Sequence, residues 1–310
     1  MNITQLEAFT VVSKVKSISE AAQVLHLTQP ALSLQMRNLE NWLGVELLKR
    51  THKGVELTPA GEVFEEYARA MLDLYRNLKK DLANLESGAG RQLLVGASST
   101  IGNYALPCSI ATFREYAPDI TITLRVSNSA AVIEDAKAKS IDLGFVDRWV
   151  HDQALLVEKI GETPVVVIAS PETKLDVPSD RLPSDHDLTV VPLAELRSYP
   201  LLVREPGSGV RHMVETALAG MGEDLRGFPV VMGLNSWEAI KSAVAAGKGL
   251  AFVPYFSVRK EVYTGELSAY RVRELDLGCP FCLVRARESR TPPALQKFIS
   301  FMRSPRRGFC

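Results

Sequence analysis

The chain has 310 residues, of which 46% are hydrophobic and 23% charged, so it is long enough to form two or more globular domains. Its 36 basic and 36 acidic residues cancel, so any binding to nucleic acid must rely on local basic clusters. No apolar run reaches the roughly eighteen residues of a membrane-spanning helix, and the first residues lack a signal-peptide pattern. We therefore expect a cytoplasmic protein whose four cysteines are thiols.

Residues 1–58 show the pattern of three short helices followed by a basic hairpin. The segments 4–7 (TQLE) and 17–20 (SISE) have the capping-box form that begins a helix, and Thr28 begins a third helix. Residues 47–57 alternate around a Lys-Gly pair, as the two strands of a wing do. This stretch is predicted to be a mainly helical (all-α) winged helix-turn-helix domain.

Residues 59–90 are predicted to form one long linker helix and a hinge. Thr58 caps the helix, and Pro59 occupies its first position, where a missing N–H costs little. The apolar residues of this helix recur at steps of three or four: Val63, Tyr67, Met71, Leu74, Leu78, Leu82 and Leu85. At ~1.5 Å per residue the helix reaches on the order of 40 Å, so this stripe needs an apolar partner. A second copy of the chain is the simplest partner, and the chain's own C-terminal domain is the alternative.

The rest of the sequence alternates β-rich runs with helical segments, the pattern of a parallel sheet with crossover helices. The expected strands are LLVGAS, ITLRVS, DLGFVD, PVVVIAS, YPLLVRE, PVVMGLN, LAFVPY and PFCLVRA. The length of this region suits an α/β domain of two lobes joined by crossing strands. Residues 91–163 with 268–304 are predicted to form the first lobe, and residues 164–267 the second.

The second helix of a helix-turn-helix enters the major groove of DNA, where its first residues contact the bases. The residues in that position, together with the basic residues of the wing, are Thr28, Gln29, Pro30, Ser33, Arg37, Lys49, Arg50, His52 and Lys53. Gln29 can form two hydrogen bonds with adenine, Ser33 can donate or accept, and the basic side chains suit phosphates. The alternative is a surface helix with capping residues beside a solvated basic turn.

Two stretches within residues 1–61, QLEAFTVVSKVKSISEAAQVLHLTQPALSLQMRNLENWLGVELLKR and THKGVELTPAGE, resemble the N-terminal domain of LysR-type transcriptional regulators without a gap. The resemblance implies a winged helix-turn-helix, a dimerising linker helix and a regulatory domain similar to type 2 periplasmic binding proteins. It also implies a homotetramer that binds double-stranded promoter DNA and contacts RNA polymerase. Leu34 and Lys53 stand where the family commonly has arginine, so one DNA contact is expected to be missing and another to lose its bidentate geometry.

Polar residues stand at four places where a predicted strand ends and a helix begins. They are Ser98, Ser99, Thr100, Asn128, Ser129, Arg204, Ser208, Arg211, Asn235 and Ser236. Ligands of open α/β sheets bind beyond the carboxyl ends of the strands, and helix N-termini there favour anions. We therefore predict an effector site between the lobes, with the alternative that each residue is only a helix cap.

The segments ASSTIGNYALP, SNSAAV, REPGSGVR and GLNSWEAIK resemble the branch of the family concerned with sulfur and anion metabolism. This resemblance implies a small effector, a sulfur oxyanion or a carboxylate, and no resident cofactor. Val210 follows Gly-Ser-Gly where relatives often have threonine, so one hydroxyl is absent.

Other signals carry little chemistry. Cys279 and Cys282 form a C-x-x-C pair, but positions three apart in a strand face opposite sides of a sheet, which favours packing. The five histidines lack metal-ligand spacing, and no phosphate-binding or nucleophile motif is present, so neither a metal site nor a catalytic residue is expected. The sequence thus predicts a ligand-responsive DNA-binding regulator. The alternatives are a cytosolic small-molecule-binding protein without specific DNA binding, and an enzyme built on the α/β domain.

Overall fold

A computed structural model describes residues 1–51, 54–86, 91–176, 188–275, 277–289, 291–305 and 308–309. The chain divides into two compact units, Met1–Glu86 and Ser87–Cys310. Across the described part of the chain, no helix combines the length and the apolar character that crossing a membrane requires.

The first unit contains four helices and one hairpin: α1 (Ile3–Val15), α2 (Ile18–Val24), α3 (Gln29–Leu43), β1 (Leu48–Thr51), β2 (Gly54–Leu57) and α4 (Pro59–Glu86). The two strands are antiparallel, and Leu48 pairs with Leu57. Ser17 and Thr28 cap α2 and α3 as predicted. The cap predicted within 4–7 is wrong, because Asn2 caps α1: its side chain accepts from the Gln5 backbone N–H at 2.9 Å, and Gln5 returns the bond at 3.0 Å.

Helix α4 has two apolar faces with different surroundings. Phe64, Ala68 and Leu72 are buried in the core of the first unit, where the Phe64 ring lies 4.9 Å from the ring of Phe9 in an edge-to-face arrangement. The predicted stripe is exposed: Val63 58%, Tyr67 61%, Met71 38%, Leu74 65%, Leu78 54% and Leu82 51%. The side chain of Leu85 lies outside the described residues. Pairing with a second copy of the chain requires such an exposed stripe.

The second unit is an α/β domain. Its strands are β3 (Arg91–Ser98), β4 (Ile120–Ser127), β5 (Leu143–Val146), β6 (Leu155–Ala169), β7 (Thr189–Val191), β8 (Leu201–Arg204), β9 (Val230–Leu234), β10 (Leu250–Pro254), β11 (Ser268–Val272) and β12 (Gly278–Ala286). Its helices are α5 (Ser99–Tyr104), α6 (Leu106–Tyr116), α7 (Ser129–Lys137), α8 (Gly209–Gly220), α9 (Trp237–Ala245), α10 (Arg259–Thr264) and α11 (Pro293–Arg303).

Eight of these strands follow the order β4-β3-β5-β12-β6-β10-β8-β9. The triplets β3–β4–β5 and β8–β9–β10 are parallel, as predicted, but β6 and β12 are antiparallel to their neighbours. Strand β6 pairs with β12 over Leu155–Pro164 and with β10 over Val165–Ile168, so it belongs to both halves of the sheet. The half with β3–β5 and β12 is called lobe I, and the half with β7–β11 is called lobe II.

Residues 268–272 form β11, which pairs with the last part of β6 and with β7. The sequence assigned them to the first lobe, but their hydrogen bonds place them in lobe II. Because β10 occupies one edge of the last part of β6, β11 pairs with the other edge. The chain returns to lobe I at β12, which pairs with β5 and with the first part of β6.

Candidate DNA-contacting and effector sites

The start of α3 presents polar side chains to solvent. The Thr28 hydroxyl accepts from the Ala31 backbone N–H at 3.4 Å, so it caps the helix while remaining exposed. Gln29, Pro30 and Arg37 are exposed, and Ser33 is half-buried, so one accessible helix face carries these residues. They were all predicted from the sequence as DNA contacts.

Two further features of this surface follow from the sequence prediction. Leu34 is 56% exposed on the same helix, so it offers an apolar side chain to whatever the helix meets. Lys49 is exposed on β1. His52, Lys53 and the side chain of Arg50 lie outside the described residues, so their predicted roles stay predictions.

The four polar segments do follow strands and begin helices, and they converge between the two lobes. Asn128 caps α7 by accepting from Ala131 N–H at 3.0 Å, and Ser236 caps α9 by accepting from Ala239 N–H at 3.4 Å. The alternative interpretation as caps therefore describes both of these side chains. Ser98 and Ser208 precede α5 and α8 without a side-chain capping bond, and both are buried.

Arg204 is buried, and its guanidinium group donates to partners within the chain. It donates to both carboxylate oxygens of Glu205, at 2.8 and 3.0 Å, and to Ser99 Oγ at 3.0 Å. It also donates to the Asn235 carbonyl oxygen at 3.3 Å and lies 4.3 Å from the centre of the Trp237 ring. Because Glu205 balances its charge, Arg204 is an anchor between the lobes with little remaining attraction for an anion.

Arg211 is also committed to partners in its own lobe. It donates to Glu215 at 2.7 Å and to the Arg204 carbonyl oxygen at 2.9 Å. Neither arginine that the sequence suggested for effector binding is thus free of a protein partner.

The centre of this site is Asp147, which the sequence prediction missed. It follows β5, is 2% exposed, and accepts hydrogen bonds from Thr100 Oγ1 at 2.6 Å and from Ser129 Oγ at 2.5 Å. Thr100 accepts in turn from the indole N–H of Trp237, in lobe II, at 3.1 Å. The signal in the sequence was the polar residue at the end of DLGFVD, which stands at the carboxyl end of a strand like the four segments identified there.

The lobes touch directly at Asp147. The Gly207 carbonyl oxygen accepts from the Ala130 backbone N–H at 3.1 Å. A methyl group at position 209 would lie 2.2 Å from Asp147 Oδ1, so only glycine lets the start of α8 approach this carboxylate. At the rim, Tyr104 of lobe I donates to Glu238 of lobe II at 2.7 Å. The two lobes are therefore closed around Asp147.

The cysteines behave differently from one another. Cys279 and Cys282 are free and fully buried, in apolar clusters on opposite faces of the sheet, as expected for packing residues. Burial raises the pKa of both thiols, that of Cys282 to about 11, which makes them poor nucleophiles. Cys108 is disulfide-bonded, so the expectation of a thiol is wrong for this residue. A reducing compartment makes disulfides rare on average and does not decide the state of a particular cysteine. Among the residues that the structure describes, no group of His, Cys, Asp and Glu is arranged to hold a metal ion.

Comparison with known proteins agrees with both units. Residues 3–62 match the family model described as bacterial regulatory helix-turn-helix protein, lysR family, and residues 86–305 match the LysR substrate binding domain. The RuBisCO operon transcriptional regulator of Allochromatium vinosum is 30% identical over 307 residues, covering 98% of this chain and 96% of that protein. The uncharacterized HTH-type transcriptional regulator YeiE of Escherichia coli (strain K12) is 32% identical over 303 residues, covering 97% of each.

Solved structures share the same fold. The crystal structure of CbnR, a LysR family transcriptional regulator, has a TM-score of 0.71 at 22% identity and covers 98% of both chains. Full-length CbnR complexed with its target DNA has a TM-score of 0.67 at 24% identity, covering 98% of this chain and 99% of that one.

An exposed recognition helix in one unit and a two-lobed binding fold in the other define a DNA-binding regulator with an effector-binding domain. The chain belongs to the LysR family of transcriptional regulators, because the two family models together match most of its length. This membership decides against the small-molecule-binding protein without DNA binding. One of these relatives is named as a RuBisCO operon regulator and the other as an uncharacterized regulator. Neither name tests the resemblance to a sulfur and anion branch, which stays a prediction.

Proposed function

We propose that the chain binds promoter DNA through the start of α3, and that a small anionic effector between lobes I and II controls promoter occupancy. One observation carries the effector part of the proposal: polar strand-to-helix junctions from both lobes come together, and Thr100, Ser129 and Ser208 are buried there. Hydroxyl groups and helix N-termini at such a site favour negative charge. The effector enters when the lobes separate, and its binding changes their arrangement and that of the paired DNA-reading domains.

The wider proposal concerns assembly and location. The exposed stripe on α4 supports a dimer through this helix, and a homotetramer formed from two such dimers. The regulator is cytoplasmic, contacts RNA polymerase at the promoter and performs no catalytic step. The absence of a resident cofactor belongs to the same proposal, since a reversible effector needs only hydrogen bonds and charge.

A thermal-shift screen tests the effector. Sulfate, sulfite, thiosulfate, phosphate, acetylated serine and common dicarboxylates are added in turn to the full-length protein. A ligand of the folded state raises Tm as its concentration exceeds its Kd. We expect one class of anion to stabilise the second unit, and Ser99→Ala to abolish that shift. If no anion raises Tm, the effector is uncharged or the regulator needs none.

Substitutions in α3 test the DNA-reading residues. We expect Gln29→Ala to weaken binding to a fragment selected by the wild-type protein by roughly tenfold to a hundredfold, because a bidentate base contact contributes about 1–3 kcal/mol. Binding to unrelated DNA should change little. Fluorescence anisotropy at fixed salt measures both affinities.

Two further variants make this test specific. Arg37→Ala should weaken binding to both DNAs and reduce the salt dependence of log K by about one ion, as loss of a phosphate contact does. Asn38→Ala, exposed on the same helix, is the control and should leave both affinities unchanged. Equal losses for Gln29→Ala on selected and unrelated DNA would assign Gln29 to the phosphate backbone.

A further inference from the structure

The position between the lobes that suits an anion is already filled by a side chain. Asp147 is 2% exposed, and each of its carboxylate oxygens accepts a hydroxyl: Oδ2 from Thr100 at 2.6 Å and Oδ1 from Ser129 at 2.5 Å. Both hydroxyls were expected to bind the effector. They are instead donors to a carboxylate of the protein itself.

The approach of lobe II to this carboxylate is equally close. The first residue of α8 is Gly209, and a methyl group there would collide with Asp147 Oδ1 at 2.2 Å and with its carbonyl oxygen at 2.9 Å. Helix α8 has 12 residues, and the hydroxyl of its N-cap residue Ser208 makes no capping bond. The end of this helix therefore has an anion beside it that belongs to lobe I.

The basic and polar groups beside Asp147 are not committed to it. The Arg204 guanidinium group is neutralised by Glu205, so it does not compete for Asp147. Two buried donors at the same edge of lobe I, Ser98 Oγ and Arg148 Nε, have no hydrogen-bond partner within the described residues. They lie at the carboxyl ends of β3 and β5, which are adjacent strands. Donors without a protein acceptor therefore follow directly on the two strands that lead into the site.

We propose that Asp147 is a built-in anion that occupies the effector's anion position and holds the two lobes closed in the ligand-free protein. This inference rests on the proposed function, because it assigns the anion position within the same site. An anionic effector then binds by displacing the Asp147 carboxylate, taking over the hydroxyls of Thr100 and Ser129 and adding the unused donors. Asp147 also sets specificity, because a ligand must contribute more than a single carboxylate to replace it.

Chemical rescue tests this assignment directly. Asp147→Ala removes a carboxylate and leaves a space that formate matches in size and charge. In the full-length protein we expect this variant to lose several degrees in Tm, because the hydroxyls of Thr100 and Ser129 lose their acceptor. Formate should restore Tm in a saturable manner. The formate concentration at half of the full effect should be at least tenfold lower than the concentration that changes the Tm of the wild-type protein. Acetate, larger by a methyl group, should rescue less in so closed a site.

Three control variants make the result specific. Asp147→Asn keeps the shape and fills the space, so formate should not stabilise it. Thr100→Val combined with Asp147→Ala removes a donor and should abolish the rescue. Asp119→Ala deletes a carboxylate at an exposed position and should show neither the loss of Tm nor the rescue.

The outcomes separate this inference from the proposed function. If Asp147→Ala is not rescued by formate while the wild-type protein responds to an anion in the screen, the built-in anion is wrong and the effector proposal stands. If formate stabilises the wild-type protein as strongly as the variant, the built-in anion is also wrong, since the position is then open. Rescue of the variant, with no anion acting on the wild type, supports the built-in anion and overturns the anionic effector.

Discussion

Phe9→Ala should destabilise the first unit by about 3–5 kcal/mol, the usual loss for removing a fully buried phenylalanine. The Phe9 side chain is 0% exposed, and its edge-to-face contact with Phe64 joins α1 to the start of α4. Typical domain stabilities are only about 5–15 kcal/mol, so the loss removes a large part of the total. Urea unfolding followed by circular dichroism should show the first unit melting at lower urea than the second.

A surface variant provides the control for this experiment. Val24 ends α2 and is 56% exposed, so Val24→Ala should change the free energy of unfolding by less than about 0.5 kcal/mol. DNA binding by Phe9→Ala should vanish at the urea concentration where its first transition ends. A single transition shifted as a whole would mean that the two units unfold together.

Leu74→Glu combined with Leu78→Glu should convert the protein to a species that no longer associates through α4. These side chains are 65% and 54% exposed on the single chain, so pairing through this stripe would bury both glutamates, and burying unpaired charge is costly. A dimer engages two DNA half-sites at once, and the second contact raises the apparent affinity by about 10²–10⁴-fold. The variant should lose that factor, as measured by anisotropy.

The size of the assembly must change together with the affinity. Sedimentation should show a smaller particle for the double variant, while circular dichroism should show an unchanged fold. Lys79→Glu adds a glutamate at an exposed position of the same helix that is not part of the stripe, and it should retain both the assembly and the affinity. A double variant that keeps its assembled mass would exclude α4 as the pairing surface.

Local signals were predictable from the sequence, and long-range contacts were not. The starts of α2, α3 and α4 follow from Ser17, Thr28 and Thr58, because a cap acts within one turn of its helix. The start of α1 was predicted wrongly, because two overlapping capping-box patterns, residues 2–5 and 4–7, compete there. Only the structure shows that Asn2 and Gln5 form the capping box.

Strand β6, which belongs to both halves of the sheet, was only half predicted. Its second part, Val165–Ala169, is continuously buried and apolar, which identifies a strand. Its first part, which includes Lys159 and Glu162, alternates irregularly because it borders solvent, and a register shift interrupts its pairing with β12. The expected strands therefore included only the second part.

The effector site was predictable as a place but not as a charge distribution. The positions of the four junctions follow from the order of strands and helices. The partners do not follow: the bond that Arg204 donates to Ser99 spans 105 residues, and the bond that Thr100 donates to Asp147 spans 47. From the sequence, Arg204 was therefore predicted to be available to an anion, and Asp147 was treated only as the last residue of a strand.

The shared strands also determine the order in which the protein can be completed during synthesis. Lobe I begins with β3 but needs β12, whose residues Gly278–Ala286 emerge from the ribosome only after all of lobe II. Until then the β5 edge, which β12 later covers by pairing Cys282 with Val146, has no neighbour on that side. The nascent chain must keep this open edge from pairing with other chains throughout the translation of lobe II. A ribosome that stalls before Gly278 would therefore release a chain prone to aggregation through lobe I.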